Sequence, residues 1–335
     1  MRFLPILLLA ACGLGGNQSV MADGAVVLMY HRFGDGRFPA TNIRVDQFRA
    51  HLDYLRDNDY SVIPLSRMLT ALDGGDPLPP KAVVITIDDA FRSVFETGHP
   101  ILREYNVPYT LFVSTDALDQ GLSDYMTWDE LAELSEAGVS IANHGAAHES
   151  LLTVGDVAAD VMRAKARLVE HVESLDGVFA YPYGEFDIDA MQVLRDLGFR
   201  YAFGQHSGAV GEASPRYSLP RFPMNETFGA PDQFATKISS KAMPVASVVP
   251  QEPLTDNRLP RITVELSEAI SSAAITCFVG GQGQVEIDWL APGRRFSVGP
   301  KRPFGAGRQR VNCTAPVGDG SFYWFGHPWF VIPTQ

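Results

Sequence analysis

Short apolar runs alternate with helix-period segments through residues 25–205 of this 335-residue chain. Each run is rich in β-branched or aromatic residues and almost continuously apolar, which is typical of strands buried on both faces. The runs are AVVLMY (25–30), YSVIPL (60–65), AVVITID (82–88), YTLFVS (109–114), VSIAN (139–143), VFAYP (178–182) and YAFGQ (201–205).

The segments between these runs are amphipathic. VDQFRAHLDYLRDN places Phe48, Leu52 and Leu55 on one face, and Thr127 with Glu130 forms a capping-box pattern. Alternation of strands and helices predicts parallel strands joined by right-handed crossovers. Seven such strands favour an α/β fold of the (β/α)7 barrel type, distorted or incomplete, with an open doubly wound sheet as the alternative. No GxGxxG sequence follows the first strand, so dinucleotide binding has no support.

The pattern changes after about residue 240. Residues 241–260 contain four prolines and no clear period, which indicates a linker or an extended connection. Residues 261–335 show short alternating stretches separated by Gly- and Pro-rich turns, which is typical of a small all-β sandwich. We therefore expect an α/β domain over 23–240, a linker over 241–260 and a β-sandwich domain over 261–335.

The first 22 residues have the features of a secretory signal peptide. A basic start is followed by FLPILLLAA, which is too short to span a bilayer, and Val20-Met21-Ala22 has the form of a cleavage site. The alternative is a lipobox, LAAC, in which Cys12 carries a lipid anchor. Both interpretations predict export, to the periplasm or the medium, and no later stretch is long enough for a membrane helix.

Charge and cysteine content narrow the function. A formal net charge of -12 argues against a nucleic-acid partner, because phosphate binding needs clustered Lys and Arg. Besides Cys12, the chain has only Cys277 and Cys313. In an oxidising compartment these two favour a disulfide, and two buried thiols are the alternative.

Polar residues follow the ends of several predicted strands. His31 follows the first strand, Asp88 and Asp89 end the third, and His144 follows the fifth, with His148 just beyond it. The carboxyl ends of parallel strands share one rim of a β/α fold, where active sites lie. We therefore expect these side chains, and the Tyr-Pro-Tyr-Gly sequence after the sixth strand, to converge.

The residue types at this rim suit metal-assisted hydrolysis. Two adjacent buried carboxylates are tolerated when a divalent cation binds one of them, and the other can then act as a base on water. The alternative is a carboxylate pair that caps a helix. His144 and His148, spaced i, i+4, can lie on one face of a helical turn, and two His with one Asp are a common ligand set for catalytic zinc.

The Asp88-Asp89 pair, the HxxxH motif and the YPYG motif (181–184), in this order, resemble the polysaccharide deacetylases of the NodB-homology type, the family-four carbohydrate esterases. The resemblance covers about residues 24–225. The first strand, LMYHRF, is similar to the branch that includes poly-N-acetylglucosamine deacetylases. The resemblance implies hydrolytic N-deacetylation of an N-acetylated glycan with release of acetate. An O-acetyl esterase and a non-catalytic glycan-binding protein are the alternatives.

The resemblance also implies roles for individual residues. Asp88 is the expected general base, and His31 is the expected general acid, with His206 as the alternative. The remaining expected roles are a divalent metal, usually zinc, on Asp89, His144 and His148, and substrate contacts at Tyr183, Pro182 and Arg221, with the Tyr183 backbone N–H directed at the oxyanion.

Two departures from the family pattern affect these expectations. Ala90 stands where the family usually has Gly after the Asp pair, which puts the geometry of this turn in doubt. The family's usual Arg near Pro182 is absent. Arg221 is a candidate to supply that guanidinium to the catalytic Asp, and an ordinary surface arginine is the alternative.

Overall fold

The computed structural model describes residues 24–333. The predicted signal peptide (1–22) and the candidate lipid attachment at Cys12 lie outside the described residues. Among the residues described, no helix has both the length and the apolar character needed to cross a membrane.

All seven predicted runs contain strands, and the runs at 25–30 and 82–88 match their strands residue for residue. An eighth, two-residue strand at 222–223 was not predicted. The strands in this part of the chain are β1 (Ala25–Tyr30), β2 (Arg32–Phe33), β3 (Asn42–Ile43), β4 (Ser61–Val62), β5 (Ala82–Asp88), β6 (Thr110–Val113), β7 (Ser140–Asn143), β8 (Ser174–Ala180), β9 (Tyr201–Phe203) and β10 (Phe222–Pro223).

The order of the parallel strands distinguishes a barrel from a doubly wound sheet. The order is β10-β1-β5-β6-β7-β8-β9, with β4 paired to the start of β5, and β2 and β3 forming a separate pair. A doubly wound sheet reverses direction at a switch point, and this order does not. Among the described residues, no ladder joins the two end strands, β9 and β10; Phe203 of β9 forms an isolated bridge with Leu219, and Ala25 of β1 forms one with Val210. The sheet is therefore a distorted barrel with a seam between β9 and β10.

Helices follow most strands and cover the sheet. The predicted capping box is confirmed, because Thr127 accepts a hydrogen bond from the backbone of Glu130 while the Glu130 carboxylate accepts one from Thr127. The helices are α1 (Val45–Asp57), α2 (Leu65–Leu72), α3 (His99–Glu104), α4 (Thr115–Asp119), α5 (Trp128–Glu136), α6 (Val157–His171), α7 (Ile188–Asp196) and α8 (Pro231–Ile238), with a π-helical turn at Val94–Gly98 and a 3-10 turn at Pro182–Gly184.

Alternate residues of the central strands supply two hydrophobic cores. In β1, Val26 and Leu28 join a cluster that includes the apolar face of α1, whereas Ala25 and Val27 join a second cluster with α2. Burial on both faces explains why these strands read as continuous apolar runs. It also leaves the strand ends as the places where polar side chains reach solvent.

Beyond residue 240 the described residues form strands only. The strands are β11 (Ser240–Ala242), β12 (Val245–Val249), β13 (Leu254–Thr255), β14 (Ile262–Leu266), β15 (Thr276–Val279), β16 (Gly283–Val285), β17 (Ile287–Ala291), β18 (Arg295–Val298), β19 (Gly307–Pro316) and β20 (Phe322–Val331). They form a sheet in the order β11-β20-β19-β15-β16, with β13 on β20, and a sheet in the order β12-β14-β18-β17. Residues of both sheets share one hydrophobic core. Cys277 of β15 faces Cys313 of β19, and the two form a disulfide.

The segment 241–260 is part of these sheets and is not a free linker. Its strand β12 pairs with β14, and its strand β13 pairs with β20. The prolines fall outside the paired positions, and the strands are too short to show a period, so the sequence pattern did not reveal them. The domain boundaries proposed from the sequence remain a prediction.

One face of β19 and β20 packs directly on the barrel near its seam. The Trp324 ring lies edge-on to Phe222 of β10, with ring centroids 5.1 Å apart, and Phe330 packs on Phe186 at 5.5 Å. Between these two contacts, a Cβ atom on Gly326 would overlap the carbonyl oxygen of Ser207. The backbone of β20 therefore approaches the barrel as closely as a glycine permits.

Candidate active site

Three potential metal ligands converge at the carboxyl ends of β5 and β7. Asp89 follows the last residue of β5, and His144 follows the last residue of β7. The ligand atoms of Asp89, His144 and His148 all lie within 4.8 Å of one another. The expected convergence of these residues is thus present in the structure.

The contacts within this cluster fit a cation better than a hydrogen-bonded group. His148 Nε2 and His144 Nε2 lie 2.9 and 3.2 Å from the same oxygen, Asp89 Oδ1. These contacts lack hydrogen-bond directions, so His144 Nε2 and Asp89 Oδ1 are both buried without a hydrogen-bond partner. His144 Nδ1 lies 2.8 Å from the Ala180 carbonyl oxygen, which directs the Nε2 lone pair towards Asp89. A divalent cation would satisfy the converging lone pairs.

The loop that carries the two histidines is not helical, in contrast to the sequence expectation. Gly145 and His148 both have positive φ angles, of 75° and 54°. The buried carboxylate of Asp160 holds the loop by accepting hydrogen bonds from the backbone N–H groups of Ala146 and Ala147, both at 2.9 Å. A Cβ on Gly145 would lie 2.7 Å from Asp160 Oδ2, so the loop needs glycine at this position.

Asp160 was not predicted as a site residue. It shares the buried face of α6 with Val161, Ala164 and Leu168. A carboxylate on the apolar face of a helix is buried and needs a hydrogen-bond partner. The position of Asp160 in the helix pattern was therefore the one indication of its role in the sequence. Its role is to position the loop, because it contacts backbone N–H groups and not the ligand atoms.

Asp88 forms a fully buried, bidentate ion pair with Arg221. Arg221 Nη1 donates to Asp88 Oδ1 at 2.7 Å, and Nη2 donates to Asp88 Oδ2 at 2.8 Å. Both side chains are 0% exposed. Arg221 also donates to Thr86 Oγ1 and to the Gly204 carbonyl oxygen. Arg221 is therefore not a surface arginine. Its 0% exposure does not fit the substrate contact expected from the resemblance, whereas its pairing with Asp88 fits the guanidinium role.

The electrostatics of the rim keep the two aspartates ionised. Burial by itself would raise the pKa of Asp88, but the positive groups around it, Arg221 first, lower that pKa. Burial also opposes ionisation of Asp89, yet the imidazoles of His144 and His148 hold its pKa well below the ordinary range. Burial lowers the pKa of His148, but Asp89 raises it more. The same negative potential attracts a metal cation.

His31 and His206 lie in different electrostatic environments. Burial lowers the pKa of His31, and this effect is opposed by Asp89 and then by Asp88. His206 is almost fully buried, and burial together with Arg310 lowers its pKa to about 4. Neither aspartate contributes to the pKa of His206. Of the two candidate acids, His31 is the one coupled to the aspartate pair.

The YPYG turn presents a single side chain to solvent. Tyr183 is 41% exposed, whereas Pro182 is buried, which does not fit the substrate contact expected of it. The Tyr183 ring lies against the His148 ring, with centroids 4.7 Å apart. From the C-terminal sheets, Arg308 Nη1 donates to the Tyr183 carbonyl oxygen at 2.8 Å. Arg308 carried no signal as a site residue in the sequence.

Backbone strain is concentrated at the site. Asp89, Ala90, His148 and Tyr183 have φ angles of 78°, 58°, 54° and 59°, in the left-handed region that favours glycine. The replacement of the family's usual Gly by Ala90 therefore does not change the turn after the Asp pair, because Ala90 adopts the left-handed conformation. Such strain persists where surrounding contacts enforce it, and it commonly marks functional sites.

Comparisons with known proteins agree with this geometry. Residues 75–202 match the family model described as polysaccharide deacetylase. The poly-beta-1,6-N-acetyl-D-glucosamine N-deacetylase of Escherichia coli strain K12 is 28% identical over 246 residues, 59% of this chain and 36% of that protein. The protein of the same name from Staphylococcus aureus strain MSSA476 is 24% identical over 232 residues, 61% of this chain and 80% of that protein.

A solved structure gives the same result. IcaB from Ammonifex degensii is 26% identical, with a TM-score of 0.57 covering 64% of this chain and 97% of that one. This chain therefore resembles the polysaccharide deacetylases of the NodB-homology type over residues 75–202. It is a hydrolase of the class that acts on carbon–nitrogen bonds. It spans only about a third of the length of the Escherichia coli relative.

Proposed function

We propose that this chain removes acetyl groups from N-acetylated sugars of a polysaccharide, with a divalent metal ion, most simply zinc, on Asp89, His144 and His148. The observation that carries the proposal is the three-ligand cluster directly beside the buried Asp88–Arg221 pair. Two imidazoles and one carboxylate are a ligand set of the kind that holds catalytic zinc, and a bound ion would supply a Lewis acid beside Asp88. The relatives, which are named as N-deacetylases of poly-beta-1,6-N-acetyl-D-glucosamine, support the same reaction.

The chemistry divides between the bound ion and the chain. When bound, the ion supplies a Lewis acid that lowers the pKa of water and polarises the acetyl carbonyl. Asp88, kept ionised by Arg221, accepts the proton of the attacking water. The Tyr183 backbone N–H stabilises the oxyanion that forms at the acetyl carbonyl. His31 then delivers a proton to the departing sugar amine, so that acetate and a free amino sugar are released.

We further propose that the enzyme is exported. The support for export is the signal-peptide pattern of residues 1–22, with its cleavage-site sequence before Asp23. The acetylated polymer would then be met outside the cytoplasm, in the compartment where the Cys277–Cys313 disulfide is stable.

The test is acetate release from N-acetylglucosamine oligomers by the purified protein, with added zinc, after treatment with a chelator, and with the variant Asp88→Asn. We expect zinc-dependent release that falls at least about 100-fold in Asp88→Asn, while the variant still binds one zinc ion per chain. Asp288→Asn removes a carboxylate from a surface pair with Arg261 and serves as the control, which should keep full activity.

Paired substrates separate the amide reaction from its alternatives. Hydrolysis of an O-acetylated xylan oligomer in the absence of amide hydrolysis would assign an O-acetyl esterase. Retention of oligomers without any acetate release, measured by equilibrium dialysis, would contradict catalysis and favour glycan binding.

A further inference from the structure

An arginine of the C-terminal sheets reaches the turn that carries the proposed oxyanion donor. Arg308 of β19 donates a hydrogen bond from Nη1 to the Tyr183 carbonyl oxygen at 2.8 Å. Its Nε lies 3.7 Å from a carboxylate oxygen of Glu185, and its guanidinium carbon lies 5.9 Å from the centre of the Tyr183 ring. One guanidinium from β19 therefore contacts two residues of this segment of the barrel.

The backbone of the turn has a conformation that needs support. Tyr183 has a φ angle of 59° and a ψ angle of 0°, and Gly184 follows with a φ angle of 71°. The left-handed conformation is unfavourable for a residue that carries a Cβ atom, so Tyr183 would return to negative φ unless its surroundings prevent this. Contacts that hold the Tyr183 carbonyl group in place are contacts of that kind.

The direction of the Tyr183 N–H depends on one peptide group. The Pro182 carbonyl and the Tyr183 N–H belong to the same trans peptide, so they point in opposite directions. The Pro182 carbonyl oxygen accepts a hydrogen bond from the Glu185 backbone N–H at 3.2 Å, and the Tyr183 N–H makes no hydrogen bond to any residue within 24–333. A return of Tyr183 to negative φ would rotate this peptide, as in the change from a type II to a type I turn. The N–H would then no longer point where it does now.

The turn is supported on two sides. A Cβ atom on Gly184 would lie 2.5 Å from the Gln205 Cβ, so the segment after β9 lies directly against the turn. On the other side, Arg308 pairs with Phe330 in the ladder between β19 and β20, and the Phe330 ring packs on Phe186 at 5.5 Å. The strand that carries Arg308 is therefore fixed to the barrel close to the turn.

We propose that Arg308 is a positioning residue for the proposed deacetylation, because it holds the peptide of Tyr183 so that the N–H points at the oxyanion. The C-terminal sheets contribute to the reaction through this side chain. The inference rests on the proposed function for the role of the Tyr183 N–H. Arg308 acts through the backbone of the turn and does not contact the substrate.

The kinetic test uses Arg308→Met with zinc and N-acetylglucosamine oligomers. We expect kcat to fall about 10-fold while KM stays within about 2-fold of the wild-type value, because the oxyanion exists only in the transition state. Loss of an oxyanion donor costs about 100–1,000-fold, and here the N–H is displaced but still present. Arg308→Lys, which can still donate to the carbonyl oxygen, should recover part of the loss. The matched control is Arg295→Met at an exposed position of β18, which should behave as wild type.

A second substrate and zinc binding show where the loss arises. The fluorine atoms of an N-trifluoroacetyl oligomer already stabilise the oxyanion, so Arg308→Met should lose less kcat on this substrate than on the N-acetyl oligomer. Zinc affinity, measured by chelator competition, should match the wild-type value. An unchanged kcat, a raised KM with unchanged kcat, an equal loss on both substrates, or weakened zinc binding would each overturn the positioning role.

A crystal structure of Arg308→Met measures the peptide independently of activity. We expect the Tyr183 peptide to be rotated or to occupy two orientations, and a peptide unchanged from wild type would overturn the inference. If the wild-type protein releases no acetate, the proposed deacetylation is wrong, and a rotated peptide in Arg308→Met still supports the hold of Arg308 on the turn. If wild-type release is normal and Arg308→Met equals it, the positioning role is wrong and the deacetylation stands.

Discussion

Replacement of Arg221 by methionine tests the electrostatic basis of the site. Methionine keeps much of the volume of the side chain but removes the guanidinium, which leaves Asp88 fully buried without its bidentate partner. Removing one partner of a buried pair costs about 3–5 kcal/mol, because the remaining charge stays desolvated. For a chain of this size, we expect the melting temperature to fall by about 10 °C.

A double-mutant cycle separates the pair from the loss of packing. In Arg221→Met/Asp88→Asn both charges are gone, so the double variant should be more stable than Arg221→Met alone. We expect a coupling free energy of at least about 2 kcal/mol from urea unfolding at pH 7. Chelator is added to all samples, so that metal binding to the neighbouring ligands does not contribute to the measured free energy of unfolding.

Activity supplies a second measurement on the same variants. With the guanidinium gone, the burial that already disfavours the charged form of Asp88 acts unopposed by its main partner. We expect acetate release by Arg221→Met to fall at least about 100-fold at pH 7, because the base is no longer held ionised and oriented. The reasoning is refuted if Arg221→Met loses less than about 1 kcal/mol of stability, or if the two single substitutions simply add.

Three further substitutions have defined expectations. Ala90→Gly relieves a left-handed alanine at φ 58° and should raise the free energy of unfolding by about 0.5 kcal/mol without loss of activity, measured by urea unfolding and acetate release. Asp160→Ala leaves two backbone N–H groups of the ligand loop unpaired and should weaken zinc binding about 10–100-fold, measured by chelator competition; unchanged affinity would exclude its positioning role. Burial lowers the pKa of His51 to about 4, so its neutral form stabilises the fold above about pH 6.5 and this contribution is lost as the pH falls towards 4. His51→Gln should therefore remove about 2 kcal/mol of the stability difference between pH 7 and pH 5, and an unchanged pH dependence would contradict the assignment.

The barrel was predictable because its strands are buried on both faces. A strand such as β5 reads AVVITID, with no ambiguity about burial, and its polar end marks the rim. Strand β10 has only two residues, which is too short for a recognisable hydrophobic pattern. It directly follows Arg221. Strands β12 and β13 of the segment 241–260 were missed for the same reason, since they are short and lie between prolines.

At the candidate site, the proposed metal ligands and the proposed base were easier to predict from the sequence than the residues that position them. Asp88 ends β5, Asp89 follows it, and His144 follows β7 with His148 at the i+4 position, so all four were recognisable in the sequence as a possible metal site. Asp160 is a single carboxylate on the apolar face of a helix, and this is a weaker signal than a polar residue at a strand end.

The arginines of β19 show a different limit. They alternate with buried residues such as Val311, and an alternating strand is normally read as having a solvent face. Here that face meets the barrel, as the Arg308 contact with Tyr183 shows. The alternation along one strand shows which residues share a face. It does not show whether that face contacts solvent or another part of the protein.

The glycine at position 326 has a consequence for how such proteins can be recombined. Because β20 lies against the Ser207 carbonyl with no room for a Cβ atom, a β-sandwich taken from another protein would dock here only if it brought a side-chain-free position to the same point. A single alanine in the donor would hold the two surfaces apart and would move β19, with Arg308, away from the YPYG turn. Exchange of the C-terminal sheets between relatives thus requires glycine at the position of Gly326. We therefore expect the barrel and its C-terminal sheets to be inherited together.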